Sequence, residues 1–282
     1  MRCLAGSGTA AAAVMISNFR TWSRVVLSRE FGIKGTKDEA STTSQMLRGM
    51  KKHFDKERTL EVKREPITWA IVKAMHQEGH QCRRGNEGVA IGIAFAGLYR
   101  MGELTSTTKR PFDAAKDLSE KHVLFKPSFW TATTVQIQIG ISKADKDGKK
   151  DALRPRVLPV TDNDPGTWLR DMLAERWNLP RGMEPSPTDM PLFQSANGNH
   201  LTQDKVLIFM RRTLAKMGYT KAQQQKFGTH SCRIGGATRL FQIGASMEVV
   251  QELGGWSSDA HKLYVRMQRD HLIKFSLEMC RA

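Results

Sequence analysis

Gly244 and the pair Gly254-Gly255 break the chain between about residues 237 and 264 into short helices joined by tight turns. An apolar segment from Ala237 to Phe241 reads as a helix that stops at Gly244, and a second helix is expected from about Ser246 to Leu253. Gly254-Gly255 then makes a turn, and Ser258 has the character of an N-cap for a last helix carrying Tyr264. His230 and Arg233 stand just upstream, three residues apart and so nearly one helical turn, which puts both on one face. Compact helices of this kind bring His230, Arg233, Trp256 and Tyr264 back to one point. A cation, a proton-transfer group and a phenol meeting there suit attack on a phosphodiester.

A lone His-x-x-Arg arises freely by chance. The full ordered set is different: His230-Ser-Cys-Arg-Ile-Gly-Gly-Ala-Thr238, Leu253-Gly-Gly-Trp-Ser-Ser258 and Tyr264-Val-Arg266. In this order and these contexts it resembles the catalytic C-terminus of the tyrosine recombinases, which include the phage integrases. The resemblance covers about residues 66 to 270 well and the first 60 by position only.

That resemblance implies an upstream arginine at a helix turn. Ala94-Phe-Ala-Gly-Leu-Tyr-Arg100-Met-Gly-Glu103-Leu supplies it, with Glu103 one turn on and able to hold the Arg100 guanidinium. It also implies a lysine on a β-hairpin. The period-two run Thr133 to Ile141 reads as a half-buried strand, Ser142-Lys143-Ala-Asp follows as a turn, and Arg156-Val-Leu-Pro-Val160 reads as the returning strand. Lys143 is the preferred match. Lys146, Lys149 and Lys150 share the turn, and their alternative role is contact with phosphate or solvent.

The fold implied is mainly α with a small antiparallel β-sheet: a tyrosine-recombinase catalytic domain over 61–282, preceded by a short helical core-binding-like domain over 1–60. Pro66-Ile-Thr marks the entry to the larger domain, with Pro in the first turn of a helix. The first domain has room for two or three helices where the family has about four, so a truncated start or a reduced clamp on DNA is expected.

The activity implied is DNA strand cleavage and rejoining through a 3′-phosphotyrosyl intermediate, in site-specific recombination or mobile-element integration. By the same resemblance Tyr264 is the nucleophile, Arg100 and Arg233 stabilise the phosphoryl oxygens, His230 assists proton transfer and Lys143 protonates the leaving 5′ oxygen. Trp256 stands where many members carry His, so the site holds one titrating group fewer. Neither metal nor other cofactor is expected, because the arginines supply the positive charge, and no ATP is required. The Arg-Met-Gly-Glu-Leu and Ser-Lys-Ala-Asp variants look more like eukaryotic transposon-type members such as the cryptons. Two rivals remain open: a type IB topoisomerase, and a domesticated DNA-binding protein that no longer cuts.

Composition agrees with double-stranded DNA as partner. Lys and Arg number 44 against 28 Asp and Glu, a formal charge of +16, which attracts polyanions and makes binding salt-dependent. Charge alone fits an RNA-binding protein equally. A helix is expected from Thr202 to Met217, with Val206, Leu207, Phe209, Met210 and Leu214 on its apolar face. Arg211, Arg212 and Lys216 on that helix read as phosphate contacts.

The chain has three tyrosines, and Tyr264 alone follows Trp256 at the distance of a short capped helix. The four cysteines show no Cys-x-x-Cys spacing, which disfavours a disulfide framework or zinc site and fits a reducing intracellular compartment. The resemblance implies a location with DNA, the nucleus in a eukaryote and otherwise the cytoplasm or nucleoid. Cys232 lies within the His-x-x-Arg motif as a rival nucleophile, though its neighbours point to packing. No run approaches the ~18 apolar residues of a membrane span. The Ala-rich start, Ala5 to Ile16, lacks a cleavage context and reads as a ragged or truncated N-terminus, with the first helix of the domain as the alternative. Met267 to Cys280 carries a terminal apolar helix that either docks on a neighbouring subunit, giving self-association on DNA, or packs on its own domain.

Overall fold

The computed structural model describes residues 64–81, 85–106, 110–139 and 156–256. The chain divides into two compact units, Met1–Val62 and Lys63–Ala282, and all described residues belong to the second. The expected N-terminal helices and the terminal apolar helix lie outside them.

Helix α2 (Gly85–Ala96) is apolar around most of its circumference, and a helix without a polar face must be covered on all sides. Val89, Ala90, Ile91, Ile93, Ala94 and Phe95 are all buried. The covering comes from α1 (Trp69–Gln81), α4 (Pro165–Arg176) and α7 (Ser231–Gln242), which pack against it. Between them in sequence come α3 (Met101–Leu104), a 3₁₀ turn (Glu120–His122), and strands β1 (Val123–Lys126), β2 (Thr134–Ile137) and β3 (Arg156–Pro159). Helices α5 (Gln203–Lys216), α6 (Lys221–Gln225) and α8 (Met247–Gly254) complete the described elements. A mainly helical domain with a small antiparallel sheet is therefore observed.

The sheet runs in the order β1-β2-β3, antiparallel throughout. Val135 stands opposite Phe125 and Leu158, and all three are buried on the core face. Leu124 and Val157 point to the exposed face. The hairpin turn holding Lys143 lies outside the described residues. Strand β1 had no counterpart in the sequence reading.

Local chemistry sets most boundaries. Asp164 accepts from the Thr167 amide and Pro165 opens α4; Thr202 caps α5 and Ser246 caps α8 through their side chains. Two expectations need correction. Pro66 does not lie in the first turn of a helix: α1 begins at Trp69, and the Thr68 hydroxyl accepts from the Ile71 amide at its start. Residues 65–67 instead run beside the loop before α7, with Glu65 N–H donating to Lys226 O and Ile67 N–H to Ser231 O. Helix α7 also begins earlier than Ala237. Gly235 and Gly236 extend it despite poor helix propensity, because a Cβ at either would run into the carbonyl oxygens of Ile67 and Phe95. Those glycines let α7 lie directly on its neighbours.

Away from this face, Trp168 stacks on His76 at 3.9 Å and on Trp69 at 5.5 Å between ring centroids. The exposed loop 180–190 is anchored at both its start and its end. Trp130 Nε1 donates to Met183 O at 2.9 Å, and the Thr188 hydroxyl donates to the buried Glu120 carboxylate at 2.8 Å.

Candidate active site

The site forms where α2 ends, α3 begins and α7 starts. After α2 the chain turns through Leu98, whose φ of 51° is left-handed, and Arg100 takes the N-cap position of α3. Glu103 folds back on it: Oε2 accepts from the Arg100 amide and Oε1 from Nη1, each at 2.8 Å. The carboxylate is buried while the guanidinium remains partly accessible, at 5% and 30% of their full side-chain exposure. A charge held this way is fixed in direction yet open to a ligand.

Arg233 lies in the first turn of α7 and is fully buried. Its Nη1 donates to Leu98 O at 2.5 Å and its Nη2 to Gly254 O at 2.6 Å. One face of the guanidinium is covered by the Trp256 ring, 4.0 Å from the ring centroid. Trp256 gets there because α8 ends at Gly255, which takes φ 62° and ψ 38°, a left-handed stop that glycine adopts without strain. The Trp256 amide then donates to Gln251 O, and Gln251 Nε2 donates back to Trp256 O at 3.1 Å.

His230 occupies the N-cap position of α7 and reaches solvent. Partial desolvation holds its pKa below the ordinary imidazole value. Arg233 and then Arg100 lower it further, and Glu103 opposes them. The imidazole is therefore neutral at pH 7 and can accept a proton. His230, Arg233, Arg100 and Glu103 thus share one electrostatic neighbourhood.

Cys232 faces inward from the same turn and is fully buried, and burial pushes its thiol up to about 12. A thiol that stays protonated is no nucleophile. Tyr99 is also buried, its hydroxyl donating to Ile137 O at 3.3 Å. Arg211 and Arg212 are exposed on α5, whereas Lys216 pairs with Glu78 at 2.5 Å. Lys143, Lys146, Lys149 and Tyr264 lie outside the described residues.

Sequence reasoning missed Arg156, at the start of β3. Its guanidinium sits 4.3 Å from the centroid of the Tyr99 ring and donates to Gly97 O and Gly254 O. The available signal was an arginine opening a strand that alternates between core and solvent.

The phage integrase family profile matches residues 128–271, which take in Lys143, His230, Arg233, Trp256 and Tyr264 and leave Arg100 upstream. The fold is similar to that of XerA recombinase, with a TM-score of 0.52 at 13% identity over 91% of this chain and 80% of that one. A XerH site-specific recombinase in a post-cleavage complex with palindromic difH gives 0.49 at 18% identity over 75% of this chain and 51% of that one. A lambda integrase dimer on a COC′ core site gives 0.46 at 16% identity over 74% of this chain and 49% of that one. No curated protein sequence matches the chain.

Proposed function

The chain belongs to the phage integrase family, and on that premise we propose that it cuts and rejoins duplex DNA in site-specific recombination or mobile-element integration. The Tyr264 phenolate oxygen attacks the scissile phosphorus, the P–O5′ bond breaks, and a 3′-phosphotyrosyl link and a 5′-hydroxyl result. Neutral His230 takes the tyrosine proton and Lys143 gives one to the leaving oxygen. Arg100 and Arg233 meet the charge that builds on the phosphoryl oxygens. Rejoining is the reverse, with a 5′-hydroxyl as nucleophile, so the bond energy is kept within the link.

The observation that supports this reading best is the pair of arginines in fixed settings on either side of Leu98. Arg100 is locked by Glu103 and Arg233 by two carbonyls and an indole, with a neutral His230 in their field. Preorganised cations of this kind need no reorganisation when charge develops. Arg211, Arg212, Lys146 and Lys149 are proposed as phosphate contacts, and the segment Met267 to Cys280 as the self-association element on DNA.

The test is trapping on nicked duplexes of pooled sequence, where loss of the short 5′ fragment prevents rejoining. A protein–DNA adduct that survives denaturation supports the reading. Salt-sensitive binding without an adduct selects a DNA-binding protein that no longer cuts. Relaxation of any supercoiled plasmid without sequence preference selects topoisomerase action.

A further inference from the structure

The two catalytic arginines are assigned above, but neither is placed by its own element alone. Glu103 must stay where it can grip Arg100, and the Gly254 carbonyl must stay where it can accept from Arg233. These two acceptors come from opposite sides of the site, one from α3 and one from the end of α8. A single side chain reaches both. Arg156 Nη1 lies 3.6 Å from Glu103 Oε2, and Nη2 donates to Gly254 O at 3.4 Å. Nη1 also donates to Gly97 O at 3.1 Å.

We propose that Arg156 is a positioning residue of the cleavage site, a fork that couples the Arg100–Glu103 pair to the carbonyl that seats Arg233. The proposal rests on the strand-cleavage reading for its consequence and on the contacts above for its geometry.

The arrangement has a clear electrostatic logic. Gly97 O and Leu98 O follow the C-terminus of α2, where unpaired carbonyls give the helix its negative end. Arg156 takes the first and Arg233 the second. Gly254 O, at the end of α8, accepts from both guanidiniums. Two cations are thus held close together by shared acceptors and by the Glu103 carboxylate. The side chains of Arg156 and Glu103 are 14% and 5% exposed, so screening by solvent is weak. The fork lies over the Tyr99 ring, 4.3 Å from its centroid, and Tyr99 is itself fixed by the bond from its hydroxyl to Ile137 O on β2. The strand that begins at Arg156 therefore reports on the hairpin, and the fork passes that position to both catalytic arginines.

Planarity matters here. A lysine ammonium keeps the charge but cannot reach Gly97 O, Gly254 O and Glu103 from one plane. A structural role alone predicts that losing the fork lowers stability and everything else together. A positioning role predicts a selective loss of cleavage, because misplacement on the order of 1 Å at a reacting centre costs about a hundred-fold.

The experiment uses the full chain with Arg156→Lys, Glu103→Gln and the double variant. Adduct formation on pooled nicked duplex at saturating DNA is measured beside the Kd for that duplex. Arg156→Met, which keeps an unbranched stem over Tyr99 without the fork, guards against a folding artefact in the lysine variant. The expected result is a fall in cleavage rate of roughly ten- to a hundred-fold with Kd within about two-fold. Because part of the effect of Arg156 runs through Glu103, the two losses are expected to combine to clearly less than their product in the double variant. Cleavage at the native rate in Arg156→Lys overturns the proposal, and so do losses that simply multiply in the double variant.

An absence of adduct from the native chain would sink the cleavage reading and leave Arg156 to a second readout. His230 senses Arg233, Arg100 and Glu103, so its titration followed by NMR reports their placement without any catalysis. Loosening both arginines moves that titration upward toward the ordinary value in Arg156→Lys. An unmoved His230 titration overturns the positioning role whatever the activity.

Discussion

The Arg233 guanidinium carbon lies over the Trp256 ring, 4.0 Å from its centroid, while its two terminal nitrogens donate to carbonyls at Leu98 and Gly254. An arginine buried completely is costly unless its charge is met; here a carbonyl accepts from each terminal nitrogen and the indole covers a face of the guanidinium. Trp256 therefore orients a cation rather than handling protons. Trp256→Ala removes both the cation–π contact and a buried ring, and is expected to cost about 3–5 kcal/mol in urea unfolding. Trp256→Phe, which keeps a ring over the guanidinium, should retain most of that stability and more cleavage than the alanine variant. Equal losses in the two would mean that the ring face is irrelevant.

Gly236 has a packing duty that outweighs helix propensity. Alanine is favoured over glycine inside a helix by about 1 kcal/mol, but a Cβ here meets the Phe95 carbonyl oxygen and comes within 2.5 Å of Leu98 Cδ2. Overpacking against backbone costs roughly 1–3 kcal/mol or more. The net expectation for Gly236→Ala is a lower denaturant midpoint, together with slower cleavage, because Leu98 carries the carbonyl that seats Arg233. A midpoint equal to or above the native one would show that α2 and α7 separate freely.

Acid should weaken the fold through histidine. Burial lowers His76 from 6.5 to about 4, with His80 adding to the effect and Asp171 opposing it. His230 is lowered as well. For both, the unfolded chain binds the proton more readily, so their stabilising contribution is complete above about pH 6.5 and falls away as pH drops below that. For His76 the loss continues until about pH 4. His76→Phe keeps a ring on Trp168 and should flatten this limb of the stability profile, measured by urea unfolding across the window. A profile unchanged in that variant would assign the acid limb to other groups. Cleavage should decline over the same acidic range as His230 takes a proton.

Cys232 sits within the motif yet does no chemistry in this account. Its thiol is fully buried and pushed up to about 12. Cys232→Ala should form adduct at close to the native rate, with a stability cost on the order of 1 kcal/mol for the lost sulfur. Iodoacetamide should leave Cys232 unlabelled in the folded chain at pH 8. Loss of adduct with retained folding would reopen the thiol as nucleophile.

Much of this domain was legible wherever the cause is local. The α8 cap at Ser246 and the turn at Gly254-Gly255 follow from residue types that permit few alternatives, and the Arg100–Glu103 pair follows from a spacing of one turn. What escaped depends on segments distant in sequence. Helix α7 begins at Ser231 because its two glycines are held against Phe95 and Ile67, a tertiary cause that propensity opposes. Pro66 belongs to a stretch that pairs with the loop before α7 rather than to a helix. Arg156 reaches acceptors 59 and 98 residues away, and nothing in its neighbours announces that. The same holds at Trp256: its place in the motif was visible, and the Arg233 guanidinium against its ring was not.

The most direct test is to digest a trapped adduct with protease and nuclease and identify the modified residue and its linkage by mass spectrometry. The account predicts a nucleotide joined through its 3′ phosphate to the peptide containing Tyr264, and no adduct from Tyr264→Phe. A nucleotide on any other residue, or an adduct that persists in Tyr264→Phe, would contradict it.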